Sequence, residues 1–293
     1  MTKFICFMTV LTVCFFWAFY GGRKDSALAD LLAEFECENI DELKSVLKGN
    51  TGGKGADGDS HISSAFTGLI YSITADAATV IDYIGVSPNV EIPASYKGVN
   101  VTAIGSRAFY GMAYITQITI PDTVTSFGSS AFTNCTGLTA MTLPDNLSTI
   151  GANVFQGCTG LTAINFPDNL QRIESRAFYG CTGLRDVKLP DSLTPCAIWD
   201  GTFLNCTGLK SIIIPANLVA VGDYAFGDCL SLTEIFYGGA NKTAWNEIVV
   251  NIGSGNNALS TATIYYYSET RPTPVAGEKY WYYGADGVPA VWA

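Results

Sequence analysis

Histidine is nearly missing from this sequence, and charge of either sign is scarce. The 293 residues hold one histidine, His61, and 14% charged side chains, with Lys+Arg 16 against Asp+Glu 26 for a formal net charge of −10. Nucleic acid and anionic membrane surfaces are held by a surplus of Lys and Arg, so neither is an expected partner. His61 sits beside a glycine-rich stretch without cysteines or carboxylates at ligand spacing, which offers neither a metal site nor a positioned general base. No G-x-S-x-G, phosphate-binding loop or dinucleotide fingerprint occurs. These absences predict a protein that is not an enzyme and has no cofactor, no metal and no catalytic residues. A sortase-type LPxTG is also missing, so covalent wall attachment lacks its usual signal.

What is present favours a β protein. Hydrophobic residues make up 48% of the chain, enough to bury a core, and 15 Tyr, 16 Phe and 30 Gly suit pleated surfaces joined by tight bends. Long helices should be scarce. Residues 4–20 form an apolar run between Lys3 and Arg23-Lys24, so 1–25 reads as a signal peptide or a membrane anchor. Any membrane contact is expected through this leader alone. Over 26–48, Leu28, Leu31, Leu32 and Phe35, then Ile40, Leu43, Val46 and Leu47, recur at helical spacing. That pattern predicts one or two amphipathic helices, which either recruit a partner, pack back on the body or act as a spacer. Residues 49–61 are a Gly-rich linker; Asp57 and Asp59 lack the ligand pattern of a calcium loop. Residues 62–104 alternate in short runs and read as an N-terminal β cap with an opening coil.

From 105 to 237 the chain repeats itself. Pro121, Pro144, Pro167, Pro190 and Pro215 lie 23, 23, 23 and 25 residues apart, and Phe109, Phe132, Phe155, Phe178, Phe203 and Phe226 keep the same beat. So do Leu138, Leu161, Leu184, Leu209 and Leu232. A period of 20–29 with L-x-x-I-x-I spacing is a leucine-rich-repeat signature. In "LTAMTLP", Leu138, Met141 and Leu143 should point inward, with Ala140 and Thr142 outward. One coil buries too little to offset its ordering entropy, so the coils must stack into a solenoid. The predicted fold is mainly β: about six 23-residue coils, a β cap at the N-terminus, and a terminal coil with an aromatic β-hairpin cap over 238–293.

Cys135, Cys158, Cys181, Cys206 and Cys229 fall on one rung of successive coils. Parallel side chains at a spacing of about 4.8 Å keep β-carbons farther apart than the roughly 3.8 Å a disulfide prefers. A straight column of thiols cannot converge on one metal ion, and Met112 takes the rung in the first coil. The cysteines are predicted to be buried wall material. Cys37 and Cys196 lie off this ladder, and Cys6 and Cys14 belong to the leader. Asp122, Asp145, Asp168 and Asp191 form a "PD" turn ladder, which turn chemistry explains without catalysis.

The coil "IPDTVTSFGSSAFTNCTGLTAMTL", with its I-P, V-x-x-F/I-G, A-F-x-x-C and L-x-x-I-x-L elements, resembles the BspA-like leucine-rich repeats of bacterial and protozoan surface proteins. The likeness spans about 90–293. It implies a secreted or cell-surface protein that binds other proteins or host surfaces, with no catalytic residues to carry over. One coil departs from the pattern: "TPCAIW" adds two residues, and Trp199 stands where other coils have Gly128, Gly151, Glu174 or Gly222. This bulge is either a plain loop or a local contact site.

A solenoid offers one long face of outward strand positions. Here these are Gln117/Thr119, Ala140/Thr142, Ala163/Asn165, Asp186/Lys188, Ser211/Ile213 and Glu234/Phe236. The first three pairs are small and neutral, so Asp186, Lys188, Ser211, Ile213, Glu234 and Phe236 are the candidate partner-binding residues, unless the end cap covers Ile213 and Phe236. The expected partner is an extracellular protein or host-surface ligand. A glycan is the second ligand class, because Tyr265, Tyr267, Trp281, Tyr283 and Trp292 suit sugar stacking as well as capping; a passive spacer is the third reading.

Overall fold

The computed structural model describes residues 68–249 and 252–292; the leader, the 26–48 helices and the 49–61 linker lie outside the described residues. The chain opens on β1 (Leu69–Ile73) and β2 (Ala78–Tyr83), an antiparallel pair, and on β4 (Ser95–Tyr96) and β5 (Val99–Ile104), a second one. β2 also pairs parallel with β5, and from there the chain coils.

Each repeat lays one short strand on each of two sides, except that the coil of Asn165 has a single bridge in place of its first strand. The first side carries β3 (Asn89–Glu91), β6 (Gln117–Thr119), β8 (Ala140–Met141), β11 (Asp186–Lys188), β13 (Ser211–Ile214) and β15 (Glu234–Tyr237). The second carries β7 (Ser126–Phe127), β9 (Thr149–Ile150), β10 (Arg172–Ile173), β12 (Ala197–Ile198) and β14 (Ala220–Val221). Pairing between coils is parallel throughout, as one-handed winding demands. Side chains obey the period of two: in β6 Ile118 is buried between exposed Gln117 and Thr119, and Leu138, Met141 and Leu143 of the next coil are all buried.

The third side is the corner where phenylalanine and cysteine recur. Phe109, Phe132, Phe155, Phe178, Phe203 and Phe226 are fully buried and stacked in one column, with successive centroids 5.3, 5.5, 5.2, 5.5 and 5.5 Å apart. The five ladder cysteines are free and buried beside it. Wall material they are, but the structure adds a bond that sequence reasoning missed. The thiol of Cys135 donates to the Phe109 carbonyl one coil back (3.1 Å), and Cys158, Cys181, Cys206 and Cys229 repeat this onto Phe132, Phe155, Phe178 and Phe203 at 3.0–3.1 Å. Cys196, off the ladder, is buried too.

The glycine of "CTGL" has an equally local cause. A β-carbon on Gly160 would lie 2.5 Å from the Thr136 carbonyl oxygen of the preceding coil, and one on Gly183 the same distance from that of Thr159. Gly137 and Gly208 meet Ala113 and Thr182 in the same way. These glycines are there for close approach of coil to coil. Gly160→Ala is therefore expected to cost about 1–3 kcal/mol, as overpacking does, read as a lower urea midpoint at unchanged slope.

The C-terminal coil differs from the rest. Asn241 caps a helix, α1 (Lys242–Val249), by accepting a bond from the Ala244 amide (3.0 Å), and a short α2 (Asn257–Thr261) follows. Asn256 replaces the missing next coil: its Oδ1 accepts from the Phe226 amide (2.8 Å), and its Nδ2 donates to the Gly222 and Gly253 carbonyls (2.8 Å each). The tail then returns to the first side as β16 (Thr263–Tyr267), β17 (Lys279–Tyr283) and β18 (Pro289–Val291). The expected hairpin exists between β17 and β18 with Gly287 at φ 75°, but β16 and β17 first join the sheet as two further parallel rungs. Bonds from Trp292 N to Tyr280 O (3.0 Å) and from Gly284 N to Val288 O (2.9 Å) set the hairpin phase, which leaves the backbone of Pro289 and Val291 on the outer edge.

Candidate binding face

The candidate residues come together on three adjacent strands. Parallel register places Asp186 beside Ser211 and Ser211 beside Glu234, and in the next row Lys188 beside Ile213 and Ile213 beside Phe236. The rows continue into the tail as Thr263 and Tyr265. The Ser211 hydroxyl donates to Asp186 Oδ1 (2.6 Å), and the Tyr265 hydroxyl donates to Glu234 Oε1 (3.4 Å). Burial, then the Glu234 charge and that bond, push the Tyr265 phenol above its usual range.

Exposure sorts the six. Asp186 and Lys188 are exposed, while Ser211, Ile213 and Glu234 are half-buried. Phe236 is only 6% exposed, which corrects the expectation of open apolar surface there. The cause is the tail: Tyr265 stacks on Phe236 with centroids 5.1 Å apart, and Trp281 meets it edge-on at 5.6 Å. Trp281 is itself buried and ties down the hairpin by donating from Nε1 to the Tyr237 carbonyl (2.9 Å). Tyr267 and Tyr283 pack around it at 5.1 and 4.9 Å, and Trp292 donates from Nε1 to the Ser268 carbonyl (3.0 Å).

Beyond sealing the end of the stack, the hairpin reaches onto the face. The Lys188 ammonium lies 4.8 Å from the centroid of Tyr283, whose residue is 38% exposed, and Lys279 lies 5.6 Å from that of Tyr265. Lys188 and Lys279 thus lie against aromatic rings, and Asp186 is exposed beside Lys188. The arrangement is a fixed surface of mixed charge with an aromatic border. Among the described residues no group of three or more His, Cys, Asp or Glu side chains is placed to hold a metal ion.

This coil plan, with its stacked Phe, buried thiol and "CTGL" glycine, is what the repeated motif encodes. Residues 102–233 and 195–247 match the BspA type leucine rich repeat region, in 6 copies. The chain belongs to the BspA-type leucine-rich-repeat family. Among solved structures, a leucine rich cell surface protein of Faecalibacterium prausnitzii A2-165 is 29% identical to this BspA-type chain, with a TM-score of 0.59 over 80% of this chain and 61% of that one. A leucine rich repeat protein of T. pallidum is 27% identical, with a TM-score of 0.50 over 56% of this chain and 88% of its own. The pneumococcal vaccine antigen PcpA shares the fold at 18% identity and a TM-score of 0.52, covering 65% of this chain and 45% of its own. No curated protein matches the sequence.

Proposed function

We propose that this protein is an exported, non-enzymatic adhesion module that binds an extracellular protein or host-surface partner through Asp186, Lys188, Ser211, Ile213 and Glu234. The observation that carries this reading is their convergence on one continuous patch of β11, β13 and β15, bordered by rings that the Trp281 anchor holds in place. A surface of that kind suits recognition, because preorganised side chains lose little entropy on binding and an aromatic border excludes water from the contact. A surface location is supported by the Faecalibacterium relative, which is named a cell surface protein. The tail aromatics work mainly in packing, which supports capping over sugar stacking as their role.

Surface plasmon resonance of the purified chain against a panel of matrix proteins, with a glycan array beside it, tests the reading. A protein ligand is expected to bind, and Lys188→Glu combined with Ile213→Asp is expected to weaken it at least tenfold, roughly the 1.4 kcal/mol of one modest hot spot. Asp122→Lys on the turn ladder should leave binding unchanged. Affinity indifferent to the face variants, or binding to glycans alone, would remove the proposal.

A further inference from the structure

Strand pairing stops on both sides of the solenoid at the same place. The seven-stranded sheet ends at β10, and β12 pairs only with β14. On the first side the N-terminal sheet runs β3, β6, β8 and a single bridge from Thr142 to Asn165; the next sheet starts afresh at β11. Both interruptions fall between the coil containing Asn165 and Ile173 and the coil containing Asp186 and Ile198. Among the described residues the backbone bonds left across these two sides are Arg185 N to Thr162 O (3.3 Å) and Thr194 N to Gln171 O (3.0 Å), with Ser192 Oγ donating to Leu170 O (2.6 Å) at the turn between them.

The third side is unbroken. Across the same junction Arg176 N donates to Asp200 O (3.0 Å), Phe178 N to Thr202 O (2.9 Å) and Gly180 N to Leu204 O (2.8 Å). The Cys206 thiol reaches the Phe178 carbonyl (3.1 Å), and the rings of Phe178 and Phe203 stay stacked at 5.5 Å. Two sides that keep their core packing but lose strand pairing, beside a third that stays fully bonded, make the geometry of a hinge.

The sequence supplies the cause. Relative to its neighbours this coil carries Thr194-Pro195 as an insertion, and Trp199 occupies the rung where Gly128 and Gly222 stand. At that rung there is little room: a β-carbon on Gly222 would lie 2.6 Å from the Asp200 amide of the preceding coil, and one on Gly128 2.6 Å from that of Ser106. Glu174 carries a β-carbon at this rung and still bonds the coil before it, so the lost bond at Trp199 goes with the two-residue insertion and the bulk of the indole together. The Glu174 amide bonds the Ile150 carbonyl (3.0 Å) and the Gly222 amide the Ile198 carbonyl (2.7 Å), yet among the described residues no such bond joins Trp199 to Ile173. Instead the Arg172 guanidinium lies 5.5 Å from the Trp199 ring, a cation–π clip across the gap on its solvent side.

We infer that the solenoid is jointed here into two rigid plates that flex about the Phe178–Phe203 edge. The joint separates the neutral part of the outward face, Thr142 to Asn165, from the charged part beginning at Asp186 and Lys188. A partner spanning both meets an adjustable angle, and one confined to the second plate meets a fixed surface. This holds whether or not the proposed function is correct.

Hydrogen exchange by mass spectrometry on the full chain, in a series of sub-denaturing urea concentrations, tests it. Coils up to Ile173 and coils from Val187 onward are expected to exchange as two blocks whose protection differs at least tenfold at the concentration where the first opens. A single concerted rise over all coils would overturn the joint. Deleting Thr194 and Pro195 together with Trp199→Gly restores the 23-residue step and is expected to merge the two blocks; two blocks persisting in that variant would overturn the assigned cause. Arg172→Ala is a milder change, expected to speed exchange at the junction several-fold while the Phe column stays protected. Should the deletion variant fail to fold, the wild-type exchange pattern and Arg172→Ala decide.

Discussion

Between pH 9 and about 11 the protein is expected to unfold cooperatively and steeply, because the six buried thiols of the described residues must ionise with it. Burial pushes Cys135, Cys196 and Cys229 up to about 12 from an ordinary value of 9.0, and holds Cys158, Cys181 and Cys206 higher still. Each thiol therefore keeps its proton in the fold where the unfolded chain has lost it. The stabilisation is complete below pH 9 and is lost as the pH climbs toward 12. One proton corresponds to about 1.4 kcal/mol per pH unit, so six together remove about 8 kcal/mol per unit, which matches a domain's whole stability within one to two units. Tyr83, Tyr237 and Tyr266, also raised by burial, act in the same direction above pH 10. Circular dichroism against pH, in reductant, reads the steepness. Cys158→Ala is expected to lower it by about one proton, and a wild-type transition involving one proton or fewer would show that the column is not buried.

Phe155→Ala is expected to cost about 3–5 kcal/mol, near the upper range for a core truncation. The ring is fully buried, stacked between Phe132 and Phe178 at 5.5 and 5.2 Å and met edge-on by Phe127 at 6.3 Å. Removing it breaks the column in mid-run. The coils on either side cannot close the gap, because amide bonds such as Phe155 N to Ala177 O (2.8 Å) hold their spacing. In a stacked array the loss falls on two interfaces at once. Urea denaturation measures it. Leu230→Ser, at a residue 81% exposed, should change stability by no more than about 0.5 kcal/mol. A Phe155→Ala cost as small as that would mean the rings do not form a column.

The solenoid was legible because it is written several times over: an inward residue that recurs at Phe132, Phe155 and Phe178 reports its own burial by its period. What escaped detection is what does not vary from coil to coil or is not a side chain. Gly160 carries no atom to suggest that the Thr136 carbonyl lies against it. The thiol bond to the Phe carbonyl of the preceding coil needs three-dimensional geometry, although the recurring offset between Cys and that earlier Phe, 26 residues in four coils and 28 across the insertion, was there to be noticed. The alternation of "TATIYYYSE" and "KYWYY" announces strands but not their direction, so the parallel rungs β16 and β17 and the covering of Phe236 followed only from the fold. The break between Asn165 and Asp186 was harder still, since "LTAINFP" reads like every other first-side strand; only the neighbouring insertion at Thr194-Pro195 and the misfit Trp199 marked the place.

Pro289 stands on the open rim of the last strand, where a second chain would otherwise dock backbone to backbone. Its ring nitrogen has no hydrogen to give, so the rim lacks a donor where a growing ribbon needs one. A missing donor at that position works against the backbone-to-backbone addition by which a stack of self-similar layers would seed a fibre.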